Sequence, residues 1–328
     1  MFACRFILLY RSRYNSAMVR LFITLFIVAV IARFLYWATL SIIAWLGRGK
    51  RLHHAAQDGT LSPTTAEQVL LIEQFRQYAK EEEARTGQRV PRLSRAQVHE
   101  VMELRAQERE RFLDNLHIGF YHVVMVFFIG SILGLFLEEA WMYITAGLTE
   151  SRVGLVWGPF SPIYGIGAAL LTMLTFALRR KNAPLWVVFL LSVVVGGGLE
   201  QFAGWAMEVL FHAQSWDYSG VPGAITQWVA WPFLGFWGIL GTIWYRSIMP
   251  ELLYRLGVPT TRRQAIVFSL LVVYLAADIF MTFACFDRVT ERHEGIPPAN
   301  EFERWIDTHY TDQWVEGRFE NLSIEEAE

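Results

Sequence analysis

The chain has 328 residues, a formal net charge of -2 and 54% hydrophobic residues. With a mean hydropathy of +0.29, this composition exceeds what a soluble domain of this length needs for one core. The small net charge gives no broad basic surface, which argues against nucleic acid as a partner of the chain. The two cysteines, Cys4 and Cys285, form no CxxC pair, so neither a disulfide framework nor a zinc site is indicated.

Long apolar runs predict an all-α fold, that of a polytopic helical membrane protein. A helix that crosses a bilayer needs about 20 mostly apolar residues. Six windows qualify, and the predicted transmembrane helices are 19–46, 119–146, 162–178, 184–211, 228–248 and 265–286. The third window is the shortest, and the fifth contains Pro232.

These spans divide the chain into four predicted segments. They are an N-terminal segment with the first span (1–46), a cytoplasmic helical hairpin (47–118), a membrane domain of about five helices (119–286) and an acidic C-terminal tail (287–328). Ser94 with Gln97 forms a capping box that begins the second helix of the hairpin, and we expect this helix to run directly into the second span. The hairpin fits either a solvated helical pair or a docking platform for a cytoplasmic partner.

Basic residues near the ends of the spans predict the orientation. Lys and Arg follow the first, third and fifth spans, so those three loops should face the cytoplasm and both termini should lie outside a bacterial cell (plasma) membrane. Arg5, Arg11 and Arg13 precede the first span and oppose this orientation. The conflict largely disappears if Met18 rather than Met1 begins the chain, which is the expectation that we adopt.

Sequence motifs for nucleotides, metals and nucleophiles are absent. The chain has no GxxxxGK[ST] phosphate loop, no GxGxxG after a strand, and no HExxH, GxSxG or paired CxxC. We therefore expect no cofactor and no catalytic role for the chain by itself, and we assign no metal site. Work driven by ATP would require an ATPase subunit in trans.

Acidic residues inside the apolar windows are the main departure from the pattern. Ionisable groups at membrane depth cost several kcal/mol unless they are paired or face a wet cavity, so each is a functional candidate. Placement at the membrane interface fits Glu139 and Glu208. With the orientation above, the helical rise places Glu138, Glu200 and Asp278 in the outer half of the bilayer.

The outer loops add further polar groups, namely Arg152, His212 and Asp217. Together with the three acids they would form an outer vestibule with more carboxylates than cations, suited to a cationic group, a metal ion or proton coupling. The alternative is internal pairing of the acids with Arg152 or Arg33. Trp residues near the same boundary fit either an aromatic belt or the lining of a cationic site.

Prolines and glycines mark the loop before the third span. We expect it to fold back or re-enter the membrane, and its structural residues are Gly158, Pro159, Pro162 and Gly165, with Tyr164 among them as a ligand-binding or coupling residue. Farther on, the triplet Gly196 to Gly198 precedes Glu200. It allows either the close approach of another helix or a local unwinding.

Two strings in the membrane domain are fairly specific in combination: GPFSPIYG at 158–165 and WDYS at 216–219. With Leu199, Glu200, Gly204 and Trp205 between them, and with Glu138, Trp237 and Asp278 on other helices, the sequence resembles the CmpB-like bacterial membrane proteins of the family called Putative ABC transporter type IV. The resemblance covers roughly residues 120–285. It implies a permease-like component of the membrane.

The sequence therefore supports three hypotheses about function. The first is a transport-type permease component that works with a separately encoded ATPase and binds its ligand in the outer vestibule, with the 158–165 loop as gate or floor. The second is a membrane-embedded enzyme that uses Glu200 or Glu138 with His212 and Asp217 on a lipid or envelope precursor. The third is an assembly or sensory scaffold. Membrane lipid is an expected partner in each case, and a homo-oligomer is compatible with all three.

Overall fold

The computed structural model describes residues 95–211, 213–259 and 262–324, together with single positions between 30 and 85. Most of these residues are helical. The helices are α1 (Arg95–Asn115), α2 (Phe120–Ala146), α3 (Pro162–Arg180), α4 (Leu185–Phe211), α5 (Trp231–Ile243), α6 (Met249–Leu256), α7 (Arg262–His293), α8 (Glu301–His309) and α9 (Asp312–Arg318). Two short strands, β1 (Ala213–Gln214) and β2 (Ser323–Ile324), pair in antiparallel fashion.

Four of the described helices are long and apolar enough to cross a membrane, which confirms the predicted helical membrane fold. They span Phe120–Ile144, Pro162–Arg180, Leu185–Leu210 and Arg262–His293 and correspond to the predicted second, third, fourth and sixth spans. The predicted first span lies outside the described residues apart from two single positions, and so do the first helix of the hairpin and the Met18 start. The count of six spans is not confirmed.

The predicted fifth span is a helix with an interruption. It consists of α5, a π-helical turn over Trp244–Ile248, and α6, and each α-helical piece is shorter than a membrane span. Pro232 lies at the start of α5, where a missing N–H breaks no helical hydrogen bond. Pro250 has no N–H to donate to the carbonyl of Arg246, and the hydrogen-bond ladder widens at this point.

The expectation that the hairpin continues directly into the second span is wrong. Helix α1 ends at Asn115, and residues 116–119 are not helical. Helix α2 begins after Gly119, whose backbone N–H donates to Nδ1 of His122 at 3.2 Å. Leu113 and Leu116 are buried in one cluster with Leu252 and Leu253 of α6, and this packing favours a turn over a straight helix.

Helix α1 is fixed to the membrane domain by polar contacts at one end of the bundle. Arg109 lies 3.4 Å from Glu251, Glu108 accepts a hydrogen bond from Tyr254 at 2.9 Å, and Glu110 pairs with Arg179. The loops after the predicted third and fifth spans therefore lie together with α1. We call this end the basic face, defined by Arg109, Arg179 and Arg255.

Glycines allow the spanning helices to pack closely. A Cβ at Gly134 of α2 would lie 2.4 Å from Cβ of Tyr164 in α3, and one at Gly196 of α4 would lie 2.1 Å from Cγ of Trp237 in α5. Contacts of this kind are typical of helix pairs with small residues at the interface. Since α4 continues unbroken through the Gly triplet, the triplet serves close approach and not unwinding.

At the opposite end of the bundle the C-terminal tail folds back onto the membrane domain. We call residues 294–324 the cap and this end the cap face. The side chain of Glu320 accepts from the backbone N–H of Ser151, Tyr310 accepts from Nε1 of Trp157 at 3.0 Å, and β2 pairs with β1. Apolar residues of the cap share a buried cluster with α7 and the 147–161 loop, including Val153, Met281, Ile306, Val315 and Phe319.

Candidate functional site

Three predicted site residues meet near the end of α2 on the cap face. Nη1 of Arg152, in the loop, lies 3.0 Å from Oε1 of Glu138. The hydroxyl of Tyr164, in the first turn of α3, interacts with the same carboxylate. Gly134 permits this approach because any side chain there would collide with the Tyr164 ring. The Glu138 carboxylate on α2 thus interacts with both the 147–161 loop and α3.

Glu200 lies on α4 with most of its side chain buried. Its Oε1 accepts a hydrogen bond from Nε1 of Trp237 at 3.0 Å, while Oε2 is buried and has no hydrogen-bond partner in the described part of the chain. Trp237 fits beside Glu200 because Gly167 and Gly196 leave space for its indole ring. A buried oxygen without a partner costs on the order of 1–3 kcal/mol, and Oδ2 of Asp278 is in the same state.

Tyr218 lies within electrostatic range of both carboxyl groups. Its ring stacks on Phe233, with centroids 4.3 Å apart and planes 14° apart, and its backbone N–H donates to the carbonyl of Gln227 at 2.7 Å. Burial raises the pKa of Tyr218, and the negative charges of Glu200 and Glu138 raise it further. The phenol therefore remains a neutral hydrogen-bond donor at physiological pH.

These residues form one group, which we call the polar cluster: Glu138, Arg152, Tyr164, Glu200, Tyr218 and Trp237. Sequence reasoning selected four of its members as site residues and missed Tyr218 and Trp237. Tyr218 is part of the WDYS string, and this string is the sequence feature that could have indicated it. Its proximity to the two acids depends on how the 213–230 loop returns to the helices, which no local pattern reveals.

Asp278 has different contacts. It is fully buried on α7, its Oδ1 accepts from the backbone N–H of Trp157 at 2.8 Å, and one turn later Thr282 accepts from the N–H of Val156 at 3.0 Å. Arg318 of the cap donates to the carbonyls of Leu155 and Gly158 nearby. Burial lowers the pKa of Arg318, and the charge of Asp278 opposes this shift. The described hydrogen bonds of Asp278 hold the loop and do not reach the polar cluster.

The predicted mouth residues line an open cleft on the cap face with a volume of about 370 Å³. Arg152 and Asp217 both line it, together with Glu150, Trp216 and Glu320. Asp217 is exposed, and hydrogen bonding to Ser219 lowers the pKa of its carboxyl group. Arg152 lines this cleft and also pairs with Glu138, so the cleft adjoins the polar cluster. His212 lies outside the described residues.

The loop before α3 folds back on itself. The backbone N–H of Gly154 donates to the carbonyl of Phe160 at 2.8 Å, and the side chain of Phe160 is buried beside Phe128. Gly158 has a φ of 68°, a region that favours glycine. The exposed Pro159 continues the turn, whereas Pro162 begins α3 and Gly165 lies inside this helix, where its lack of a side chain admits Ser131.

Fold and site together define a polytopic helical membrane protein with a polar cluster between its spanning helices. Among the described residues, no group of three or more His, Cys, Asp or Glu side chains could hold a metal ion. Residues 125–283, just under half of the chain, match the model of the family described as Putative ABC-transporter type IV. This match confirms the resemblance inferred from the two strings. Neither the curated proteins nor the solved structures include a significant match.

Proposed function

We propose that this chain is the membrane-embedded permease component of a transport system, and that the polar cluster is its ligand or coupling site. The observation that carries the proposal is the buried carboxyl group of Glu200, which has one oxygen without a partner inside a membrane domain. All six residues of the polar cluster fall within the segment that matches the transporter family. Ionisable groups at membrane depth commonly mark the path of a substrate or an ion.

The charge balance of the cluster favours a cationic ligand. Arg152 neutralises Glu138, whereas the described contacts of Glu200 include a neutral indole and no cation. An ammonium group or a proton would compensate the charge of Glu200.

Access to the cluster would be from the cap face. The cleft lined by Arg152 and Asp217 adjoins Glu138, and the fold-back loop lies between this cleft and α7. A ligand that displaced Arg152 from Glu138 would expose a second carboxylate. The Arg152–Glu138 ion pair would then control entry from the vestibule, and the fold-back loop would line one side of that path.

Energy would come from an ATPase subunit, because the chain has no phosphate-binding loop. The basic face is the natural docking surface for such a subunit. There α1 is coupled to α6 and α3 through Arg109 with Glu251, Glu108 with Tyr254, and Glu110 with Arg179. A movement of α1 would pass directly to α6, which continues through the π-helical turn into α5 and Trp237.

Purification of the full-length chain from its own membranes tests the proposal. We expect it to carry an ATPase subunit, and native mass spectrometry of the complex should show a small cationic molecule. Glu200→Gln should abolish retention of that molecule without changing the unfolding temperature or the subunit composition. The matched control is Glu208→Gln, since Glu208 lies two turns later on α4, is exposed and bonds Gln227. A chain that carries no ATPase, or a Glu200→Gln variant that retains the molecule, would contradict the proposal.

A further inference from the structure

A second cavity lies on the outside of the bundle, away from the polar cluster. It is a groove of about 530 Å³ between α7, α8 and the end of α4. Its walls are mainly apolar, formed by Leu210, Phe280, Phe283, Phe286, Phe302 and Ile306. This volume is within the range of ligand sites in proteins, roughly 300–1,000 Å³.

The groove continues the lipid-facing surface of a membrane span. Phe280 and Phe283 are 59% and 51% exposed on α7, which is the most apolar of the described spans. The ring of Phe280 stacks on Phe302 of the cap at 5.8 Å, and Phe302 stacks on Trp305 at 6.2 Å. An unbroken aromatic stripe thus leads from the span onto α8.

Helix α8 packs against the C-terminal end of α7. At 1.5 Å per residue, the 32 residues of α7 measure about 48 Å, and the hydrocarbon core is only about 30 Å thick. Because Asp287, Arg288 and Glu291 make its last turns strongly charged, we expect this end of α7 at headgroup level. Arg288 attaches α8 there by donating to both oxygens of Asp307 at 3.0 and 2.7 Å. Aromatic side chains such as Trp305 are enriched at this level of a membrane.

The polar end of the groove carries negative charge. Asp287 and Glu303 line it, and Asp287 is exposed. Among the described residues that line the groove the only cation is Arg288, which pairs with Asp307 and Glu291 and lies 3.8 Å from Glu303, so Asp287 is the carboxylate that keeps its charge. A headgroup at this end would find a carboxylate without a nearby cation to neutralise it, which favours an ammonium group over a second anion.

We propose that this groove is a binding site for a phospholipid with a primary ammonium headgroup, with an acyl chain along the surface formed by Phe280, Phe283 and Phe302 and the ammonium beside Asp287. The apolar groove favours an acyl chain through close packing against its aromatic walls. Asp287 provides headgroup selectivity. The site does not depend on transport, so its test is independent of the proposed function.

The test uses full-length protein in mixed vesicles of phosphatidylethanolamine and phosphatidylglycerol, followed by native mass spectrometry of retained lipid. Wild type should retain phosphatidylethanolamine preferentially. Ala284→Trp fills the groove, which Ala284 lines, and should lower retention at least fivefold. Ala277→Trp adds the same bulk two turns earlier on the exposed surface of α7 and should retain lipid as wild type does. Equal retention by wild type and Ala284→Trp would overturn the site.

Two further measurements keep the proposal testable if Ala284→Trp fails to fold. Asp287→Asn, a surface change, should remove the preference for phosphatidylethanolamine and leave total lipid unchanged; an unaltered preference would overturn the role of Asp287. Photo-crosslinking from p-benzoylphenylalanine at Phe302 should give a lipid adduct, and the same group at the exposed Glu316 should give none. Absence of an adduct at Phe302 would place the groove outside the membrane and overturn the proposal.

Discussion

Nη1 of Arg152 lies 3.0 Å from Oε1 of Glu138, so a loop residue neutralises a carboxylate near the end of a spanning helix. Both side chains are largely buried, with exposed fractions of 15% and 24%. The pair therefore differs from surface ion pairs, which contribute little to stability. Removal of either partner alone would leave the charge of the other in surroundings that solvate it poorly.

Arg152→Met should destabilise the protein because Glu138 then loses its cation. We expect a loss of about 1–3 kcal/mol in the free energy of unfolding, as for a buried polar group without a partner. The additional change Glu138→Gln should recover part of this loss, since it removes the unpaired charge. Unfolding in detergent is measured for the wild type, the two single variants and the double variant. This double-mutant cycle gives the coupling free energy between Arg152 and Glu138. Additive losses would show that the two residues do not interact.

Much of the fold follows from hydropathy, because a bilayer requires long apolar helices that satisfy their own backbone hydrogen bonds. Six spans were predicted on this basis, and four of them are present among the described residues. The interruption at Trp244 and the turn at 116–119 could not be inferred in the same way. The interruption depends on Pro250, and the turn depends on the packing of Leu113 against α6. A hydropathy average over a long window detects neither of these local features.

The site was less accessible to sequence reasoning. Glu138 and Glu200 are ionisable residues in apolar segments, and Arg152 and Tyr164 are polar residues of the predicted outer loops, but nothing in their spacing indicates that Tyr218 lies near the two acids. Asp278 stood out for the same reason as Glu200, yet it binds the backbone of the loop. A buried acid that binds an indole and one that binds a loop backbone look identical in sequence, because the difference is made by partners distant in the chain.

The glycine triplet on α4 gives a matched pair of substitutions. A Cβ at Gly196 would lie 2.1 Å from the Trp237 ring, whereas a Cβ at Gly198 has nothing within 4 Å. Gly196→Ala should lower the free energy of unfolding by about 1–3 kcal/mol, the usual cost of overpacking. Gly198→Ala should be neutral or stabilising by up to about 1 kcal/mol, because alanine favours helix. Thermal unfolding of both variants decides this, and equal effects would contradict the packing described for Trp237.

Attachment of the cap should depend on pH through Asp307. Hydrogen bonding from Arg288 holds the pKa of the Asp307 carboxyl below its ordinary value, which is about 3.9. Because the folded-state pKa is the lower one, the stabilisation is complete at pH values above the ordinary value and is lost as the pH falls through the folded-state pKa. We therefore expect the cap to stay attached at neutral pH and to loosen below about pH 4.

Hydrogen exchange of cap amides, corrected for intrinsic rates, measures this loosening. Asp307→Asn should increase exchange already at neutral pH and weaken its dependence on pH. Glu301→Gln is the control, because the side chain of Glu301 is 89% exposed and pairs with an exposed arginine. A wild-type cap whose protection does not change between pH 7 and pH 3 would show that the Arg288–Asp307 contact does not hold it.

The orientation of the bundle is the last prediction, and it decides which compartment the cleft and the cap face. Arg179, Arg246 and Arg255 lie near the ends of spanning segments, and they predict that the basic face lies in the cytoplasm. After replacement of Cys4 by Ser, Ser219→Cys should react with an impermeant maleimide in intact cells, since Ser219 is exposed on the cap face. Val258→Cys, 48% exposed after α6, should react only once the membrane is permeabilised. Cys285 is buried and should remain silent in both variants. The reverse pattern of labelling would place the polar cluster within reach of the cytoplasm, and its ligand would then have to be loaded from inside the cell.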